Sequence, residues 1–190
     1  MRWIGVDPGS HKTGWGVVDV ADGRVVHVDN GVLFLDDDKV LAIRLVDLCH
    51  RLKDVVVRYR PDAAAVEDVF VQRGARSALI LGQARGAALA TLGLAGLSVT
   101  SVSTSLVKLR VAGRGRADKG QVAEMVRVLL GLKEVPFEDA ADALAVALSV
   151  AFPDNPALVS TTSTGPASGK AGKSRGRGAL AQLARAQGKA

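Results

Sequence analysis

In the first third of the chain, valine and isoleucine gather in short runs broken by turn residues, and this pattern predicts strands. Trp3 to Asp7, Gly14 to Val20 and Arg24 to Leu35 are Val-rich segments separated by Asp7-Pro8-Gly9-Ser10 and by Ala21-Asp22-Gly23. Both interruptions carry turn chemistry, so the three segments read as an antiparallel meander. From Lys39 to Tyr59 the period changes. Leu41, Leu45, Leu48, Leu52, Val55 and Val56 recur every three or four residues along one helix face, and Pro61 ends the helix. Ala63 to Val69 is a short apolar run that predicts a buried fourth strand. Leu79 to Leu94 is helical by composition, and Gly82, Gly86 and Gly93 are expected to let a neighbouring backbone approach. Leu97 to Val102 reads as a fifth strand, Ser105 to Val111 as a short helix and Gly113 to Gly115 as a loop. Asp118 is placed to cap a helix running to about Leu130, and a last helix starts near Glu138 and carries Ala140 to Ala151.

After Pro153 the composition shifts to Ser, Thr, Gly, Ala and Lys/Arg without an aromatic residue. Residues 1–153 are therefore expected to form the folded domain and 154–190 a basic tail. Within that tail 154–178 are expected to be disordered, and Ala179 to Gln187 are too short to hold a helix in isolation. Apolar residues make up 48% of the chain but aromatics only 4%, so the core must be built from Val, Leu, Ala and Ile. The net charge of +6 is unevenly spread. Residues 1–72 hold nine basic and twelve acidic side chains, 73–133 ten and two, 134–150 none and four, and 151–190 six and one. A positive middle flanked by acidic segments suits a polyanionic partner with something negative set into the contact surface. The lone Cys49 excludes an intrachain disulfide, and His11, His27 and His50 have no metal-ligand spacing, which fits a cytoplasmic protein. The longest weakly polar stretch, Gly86 to Val99, is too short to span a bilayer, so no membrane partner is expected.

The informative oddity is acid inside apolar runs. Asp7 closes the first strand, Glu67 sits at the end of Ala63-Ala64-Ala65-Val66, and Asp139 and Asp142 interrupt a helix of Ala, Leu and Val. An isolated ionised carboxylate costs several kcal/mol to bury without a partner, so each must be paired, capping or cation-bound. Asp7 also suits a turn, Glu67 a salt bridge and Asp139 a helix cap. Asp142 shares a helix face with Asp139 at i, i+3, where two like charges repel unless a cation lies between them. If the four converge they form an oxygen-only site suited to Mg²⁺ or Mn²⁺ rather than zinc or copper. Such a site fits two-metal phosphodiester hydrolysis, which needs no protein nucleophile. Lys108, Arg110, Arg114, Arg116 and Lys119 fall within twelve residues, interleaved with Gly113 and Gly115, as a phosphate-holding loop would be; a solvated face has the same composition. Phe70 follows Glu67 by three residues and suits either base stacking or the core.

Read together, these segments resemble the RuvC family of bacterial Holliday-junction resolvases. The resemblance runs from about Arg2 to Ala151 through Ile4-Gly5-Val6-Asp7-Pro8-Gly9-Ser10, Thr13-Gly14-Trp15-Gly16-Val17, Ala65-Val66-Glu67-Asp68-Val69-Phe70 and Ser77 to Gly86. It continues through Val107-Lys108, Asp118-Lys119-Gly120-Gln121-Val122 and Asp139-Ala140-Ala141-Asp142-Ala143-Leu144-Ala145. It implies an α/β, RNase H-like fold with a central five-stranded mixed sheet and helices on both faces. It also implies a homodimer, two Mg²⁺ per subunit with Mn²⁺ as substitute, and paired nicking of four-way junction DNA. By the same resemblance Asp7, Glu67, Asp139 and Asp142 take the metal-binding catalytic places, Lys108 and Lys119 the DNA-phosphate places, and Phe70 an aromatic place near the crossover. A branch-migration complex of the RuvA–RuvB kind is the partner the family suggests. Ser101-Val102-Ser103-Thr104-Ser105 and the long basic tail depart from the family pattern. The competing readings are a ribosomal-RNA-processing nuclease of the YqgF type, one lobe of an actin-like ATPase, and a non-enzymatic DNA binder using only the basic strip.

Overall fold

The computed structural model describes residues 1–68 and 74–151. Strands β1 (Arg2–Asp7), β2 (Lys12–Ala21) and β3 (Arg24–Phe34) are followed by helix α1 (Leu41–Tyr59), strand β4 (Ala63–Glu67) and helix α2 (Ala75–Leu94). Strand β5 (Ser98–Val102) and helices α3 (Thr104–Ala112), α4 (Lys119–Leu130) and α5 (Glu138–Ala151) complete the body. The meander is present: β1 pairs antiparallel with β2 and β2 with β3, placing Asp7 opposite Gly14 and Lys12 opposite Phe34. Beyond it β4 joins β1 and β5 joins β4, both in parallel, giving one mixed sheet of order β3-β2-β1-β4-β5. Parallel neighbours need long crossovers, which α1 and α2 provide.

Strand alternation then divides the core between the two faces. Ile4, Val6, Trp15, Val17, Ala64 and Val66 pack under α1 and α2, against Leu48, Leu52, Val55, Ala84, Ala88 and Leu92. On the other face Val18, Ala65 and Val102 meet Val107 and Val111 of α3, Val122 and Val126 of α4, and the Ala/Leu/Val surface of α5. α5 is the most deeply set helix, buried through Ala143 to Ser149. It lies this close because the strands beneath it carry glycine: a Cβ added to Gly5 would stand 2.2 Å from the Ala143 carbonyl oxygen, and one on Gly14 1.8 Å from that of Asp139.

Two expectations are corrected here. Among the described residues no backbone approaches Gly82, Gly86 or Gly93, since nothing lies within 4 Å of a Cβ built on any of them; the close approach within the domain belongs to β1 and β2. The helix around them begins at Ala75, not Leu79, and over these 20 residues it is long and apolar enough to cross a membrane by length and composition alone. It is nonetheless tied into the core through Ala84, Ala88, Thr91 and Leu92. Phe70 and the expected tail, 154–190, lie outside the described residues.

The register brings the ends of all five strands to a common line. Val102, Glu67 and Asp7 end β5, β4 and β1, Lys12 begins β2, and Phe34 ends β3, so these residues stand side by side along one end of the sheet. The opposite end is pinned: Arg2 donates to Asp19 at 2.8 Å and to the Tyr59 carbonyl at 2.7 Å, and the Arg2 amide donates to Asp62 at 2.6 Å.

Candidate active site

A cavity of about 550 Å³ opens at this working end of the sheet. Asp7, Glu67 and Asp142 line it together with Lys108, Lys119 and Ser103 to Ser105. Each arrives from a different element, which is why no short sequence window contains the site. Asp7 and Glu67 are the last residues of the adjacent parallel strands β1 and β4. Asp142 comes from the first turns of α5, held over the sheet by the glycine contacts. Ser103 caps α3 through its hydroxyl, which accepts from the Leu106 amide at 3.3 Å, and so aims Lys108 one turn further on. Asp118 caps α4 as expected, and with Gln121 it forms a capping box that fixes Lys119 as the first residue of the helix.

The electrostatics of the pocket are those of acids held together against their repulsion. Burial pushes Asp7 up to about 8, the neighbouring charge of Glu67 adds to the rise, and Asp142 contributes further. Burial also raises Asp142, against the pull of Lys119. The Lys119 ammonium donates to Glu138 at 2.8 Å and to Asp142 at 3.1 Å. Partial burial pulls its pKa down, but the bond to Glu138 and the charge of Asp142 outweigh that pull and hold it above the ordinary lysine value. Lys119 thus gives the acid group a counter-charge, by a direct bond at Asp142 and at longer range at Asp7.

Asp139 stands apart from the other three. It lies one turn before Asp142, close enough to contribute to that residue's raised pKa, but it does not line the cavity, and its carbonyl rests over Gly14. Among the described residues no three acids are closed up as a finished metal cage. The donor set is still the one a hard divalent cation needs: carboxylate oxygens only, partly desolvated and mutually repelling. Asp7, Glu67 and Asp142 therefore fit such an ion, with Asp139 within reach of the same helix face.

The basic strip divides in three. Lys108 and Lys119 line the cavity. Arg114 borders a shallow depression beside Asp118 and Gln121, and Arg116 is exposed on the same loop. Arg110 turns away, its Nη1 donating to the Ser149 carbonyl at 3.0 Å near the far end of α5, so its guanidinium serves the body of the domain and not the cavity.

Two further residues escaped the reading of the sequence. Arg85 of α2 donates to the Glu67 carbonyl at 3.0 Å, to Asp68 at 2.6 Å and to the Ser101 hydroxyl at 2.6 Å, tying the ends of β4 and β5 behind Glu67. Glu138 is the second anchor of Lys119. Arg85 lies in the Ser77 to Gly86 segment, but its role depends on partners 16 to 18 residues away.

A family model described as crossover junction endodeoxyribonuclease RuvC matches residues 3–150. The crossover junction endodeoxyribonuclease RuvC of Citrifermentans bemidjiense is 48% identical over 148 residues, covering 78% of this chain and 90% of the relative. That of Trichlorobacter lovleyi is 51% identical, covering 78% and 83%. Among solved structures, Thermus thermophilus RuvC in complex with a Holliday junction substrate superposes with a TM-score of 0.75 at 37% identity, covering 85% of this chain and 97% of that one. A mitochondrial Holliday junction resolvase from yeast, 14% identical with a TM-score of 0.56, shares the fold. Strand order, the acids at the strand ends and these matches agree: the chain belongs to the RuvC family of crossover junction endodeoxyribonucleases.

Proposed function

We propose that this protein resolves four-way DNA junctions by metal-dependent hydrolysis of two symmetrically placed phosphodiesters. The observation that carries the proposal is the convergence of Asp7, Glu67 and Asp142 with Lys108 and Lys119 in one cavity. Asp7, Glu67, Asp139 and Asp142 would hold Mg²⁺, two ions per subunit, with Mn²⁺ as substitute. Divalent ions held there would supply Lewis acidity at the scissile phosphate and a more acidic attacking water. The chain supplies the rest. Asp7 and Glu67 orient from the strand ends, and the glycine seam sets how far Asp142 stands from them. Lys108 and Lys119 attract and hold the phosphate backbone beside the acids. With an exposed DNA phosphate as ligand, the Lys119 ammonium exchanges a carboxylate partner for a phosphate oxygen without losing its charge-assisted bond.

Two nicks require two such sites, and each chain has one. A homodimer is part of the proposal, and its support is α2, which leaves Leu79, Gly82, Gly86 and Leu94 uncovered in a helix of high apolar content. A second copy burying that face would serve a two-fold symmetric substrate with two-fold symmetric chemistry. Phe70 at the crossover, residues 154–190 as a loosely contacting basic tail, a cytoplasmic location and docking of a RuvA–RuvB type complex belong to the same reading and rest on family membership and composition.

The test is cleavage of a synthetic four-way junction in Mg²⁺, Mn²⁺, Ca²⁺ and EDTA. Paired nicks are expected with Mg²⁺ and Mn²⁺, binding with little turnover in Ca²⁺, and none in EDTA. Asp7→Asn and Asp142→Asn should lower cleavage by orders of magnitude while junction binding persists. Full cleavage in EDTA, or wild-type rates from both variants, would sink the reading.

A further inference from the structure

At the β3 side of the working end, two phenylalanine rings stand in solvent with a lysine over both. Phe34 ends β3 and is 54% exposed, and Phe137, in the segment just before α5, is 56% exposed. Their centroids are 6.2 Å apart in an edge-on arrangement. The Lys12 ammonium lies 5.6 Å from one centroid and 5.2 Å from the other. Large apolar rings left in water beside the acid group need a reason, since a domain this poor in aromatics has two of its four phenylalanines here.

Position supplies one. Lys12 follows Asp7 by five residues across the turn and is paired with Phe34 in the sheet, while Phe137 precedes Asp139 by two. Phe34 is two strands from Asp7, about 10 Å at the usual strand spacing. The acids are therefore flanked on both sides. Lys108 stands on the β5 side beside Ser103 to Ser105, whereas Lys12 with its two rings stands on the β3 side, next to the Glu138 that anchors Lys119. A nucleic-acid strand advances about 3.4 Å per nucleotide along its axis. A strand with its scissile phosphate at Asp7 would reach the patch some three nucleotides away.

Charge decides which kind of ligand fits. The nearby carboxylates already have partners: Asp36 is paired with Lys39, Asp37 with Arg44, and Glu138 with Lys119. Lys12 has no ion pair among the described residues; its ammonium rests on the rings and is free to move to an anion. Exposed aromatic faces interleaved with an uncommitted cation are the composition of a surface that takes a nucleic-acid strand, with rings against bases or sugars and ammonium on phosphate.

We infer that Lys12, Phe34 and Phe137 form a second DNA-contacting site, a positioning wall that holds the strand on the β3 side of the carboxylates. This inference deepens the proposed function and rests on it. Its test uses the full chain and a synthetic four-way junction, with binding measured across a salt series, single-turnover cleavage below saturation, melting temperature and sedimentation. Replacing both rings, Phe34→Ala with Phe137→Ala, should weaken binding about five-fold or more, the equivalent of about 1 kcal/mol, at an unchanged melting temperature. Lys12→Ala should make the log–log salt slope shallower by about one unit. Single-turnover cleavage below saturation should fall in step with the affinity in both. Phe34→Tyr with Phe137→Tyr keeps the ring faces and should bind as the wild type does. The inference is overturned if the wild-type chain binds the junction and the alanine variants match its affinity and slope. It is equally overturned if their only change is lost self-association, which would give the face to a second copy, or a fall in melting temperature that the Tyr variants share. A wild-type chain that binds no junction would instead remove the proposed function beneath it.

Discussion

Asp7 shows how a residue can be costly to the fold and necessary to the site. Its carboxyl is pushed up to about 8 by burial and by Glu67, so ionising it at neutral pH works against the folded state. The direction of the pH effect follows from linkage. A folded pKa above the unfolded value gives stability that is complete below about pH 4 and is lost as pH rises through about 8. Asp142, raised for the same first reason, adds in the same direction. The carboxylates held low by partners, such as Glu138 beside Lys119 and Asp37 beside His11, lose their contribution only in acid and do not disturb that window. The metal-free protein is therefore expected to lose melting temperature between about pH 5 and 8.5, at the steepest by roughly 3–5 °C per pH unit for one proton. Asp7→Asn should flatten the profile, and so should Mg²⁺. Differential scanning calorimetry in EDTA checks this, and a profile that rises across that window would contradict it.

At the scale of elements, the glycines of β1 and β2 set the height of α5 above the sheet. Gly14→Ala would drive a methyl group to within 1.8 Å of the Asp139 carbonyl, so the start of α5 must lift. Overpacking of this kind costs about 1–3 kcal/mol, but the lifted turn also carries Asp142 away from Asp7. Cleavage should therefore fall by far more than the loss of folded protein explains, as measured by single-turnover assay alongside thermal melts. These elements were largely legible in the sequence. The meander, α1, the capped α4 and the acidic start of α5 were all marked by turns, a 3.6-residue period or a cap. The boundary of α2 was not, because Gly, Ala and Leu spread around that helix leave little periodicity to read. Its glycines were assigned a close contact that the tertiary structure places elsewhere. Three of the four acids could be brought together from their oddness in apolar runs and by family resemblance. The remoteness of Asp139 from the cavity, the turn of Arg110 toward Ser149, the Arg85 tie and the Glu138 anchor depend on pairings between distant segments, which local pattern does not encode.

For the whole molecule, the chemistry is gathered at one end of the sheet and the structural clamps at the other, where Arg2 joins β2, α1 and the approach to β4. The described body closes both faces of its core by Ala151, so residues 154–190 should be unnecessary for folding. Their six basic residues against one acid suit loose contact with DNA phosphates. A 1–153 chain is expected to melt at the same temperature and to cut at saturating protein. Its junction affinity should drop a few-fold, a difference that disappears at high salt; loss of folding would show that the tail docks on the body. The glycine seam has a last consequence for the molecule as an instrument. Where α5 rests on Gly5 of β1 and Gly14 of β2, the contact is main chain on main chain, with no side-chain torsion in between to hop between wells. The spacing between the strand acids and the helix acid is thus set by two backbones in direct contact. It blurs with temperature only as far as the main chain itself bends, which keeps the reaction geometry sharp in a domain whose core is otherwise made of small, interchangeable aliphatics.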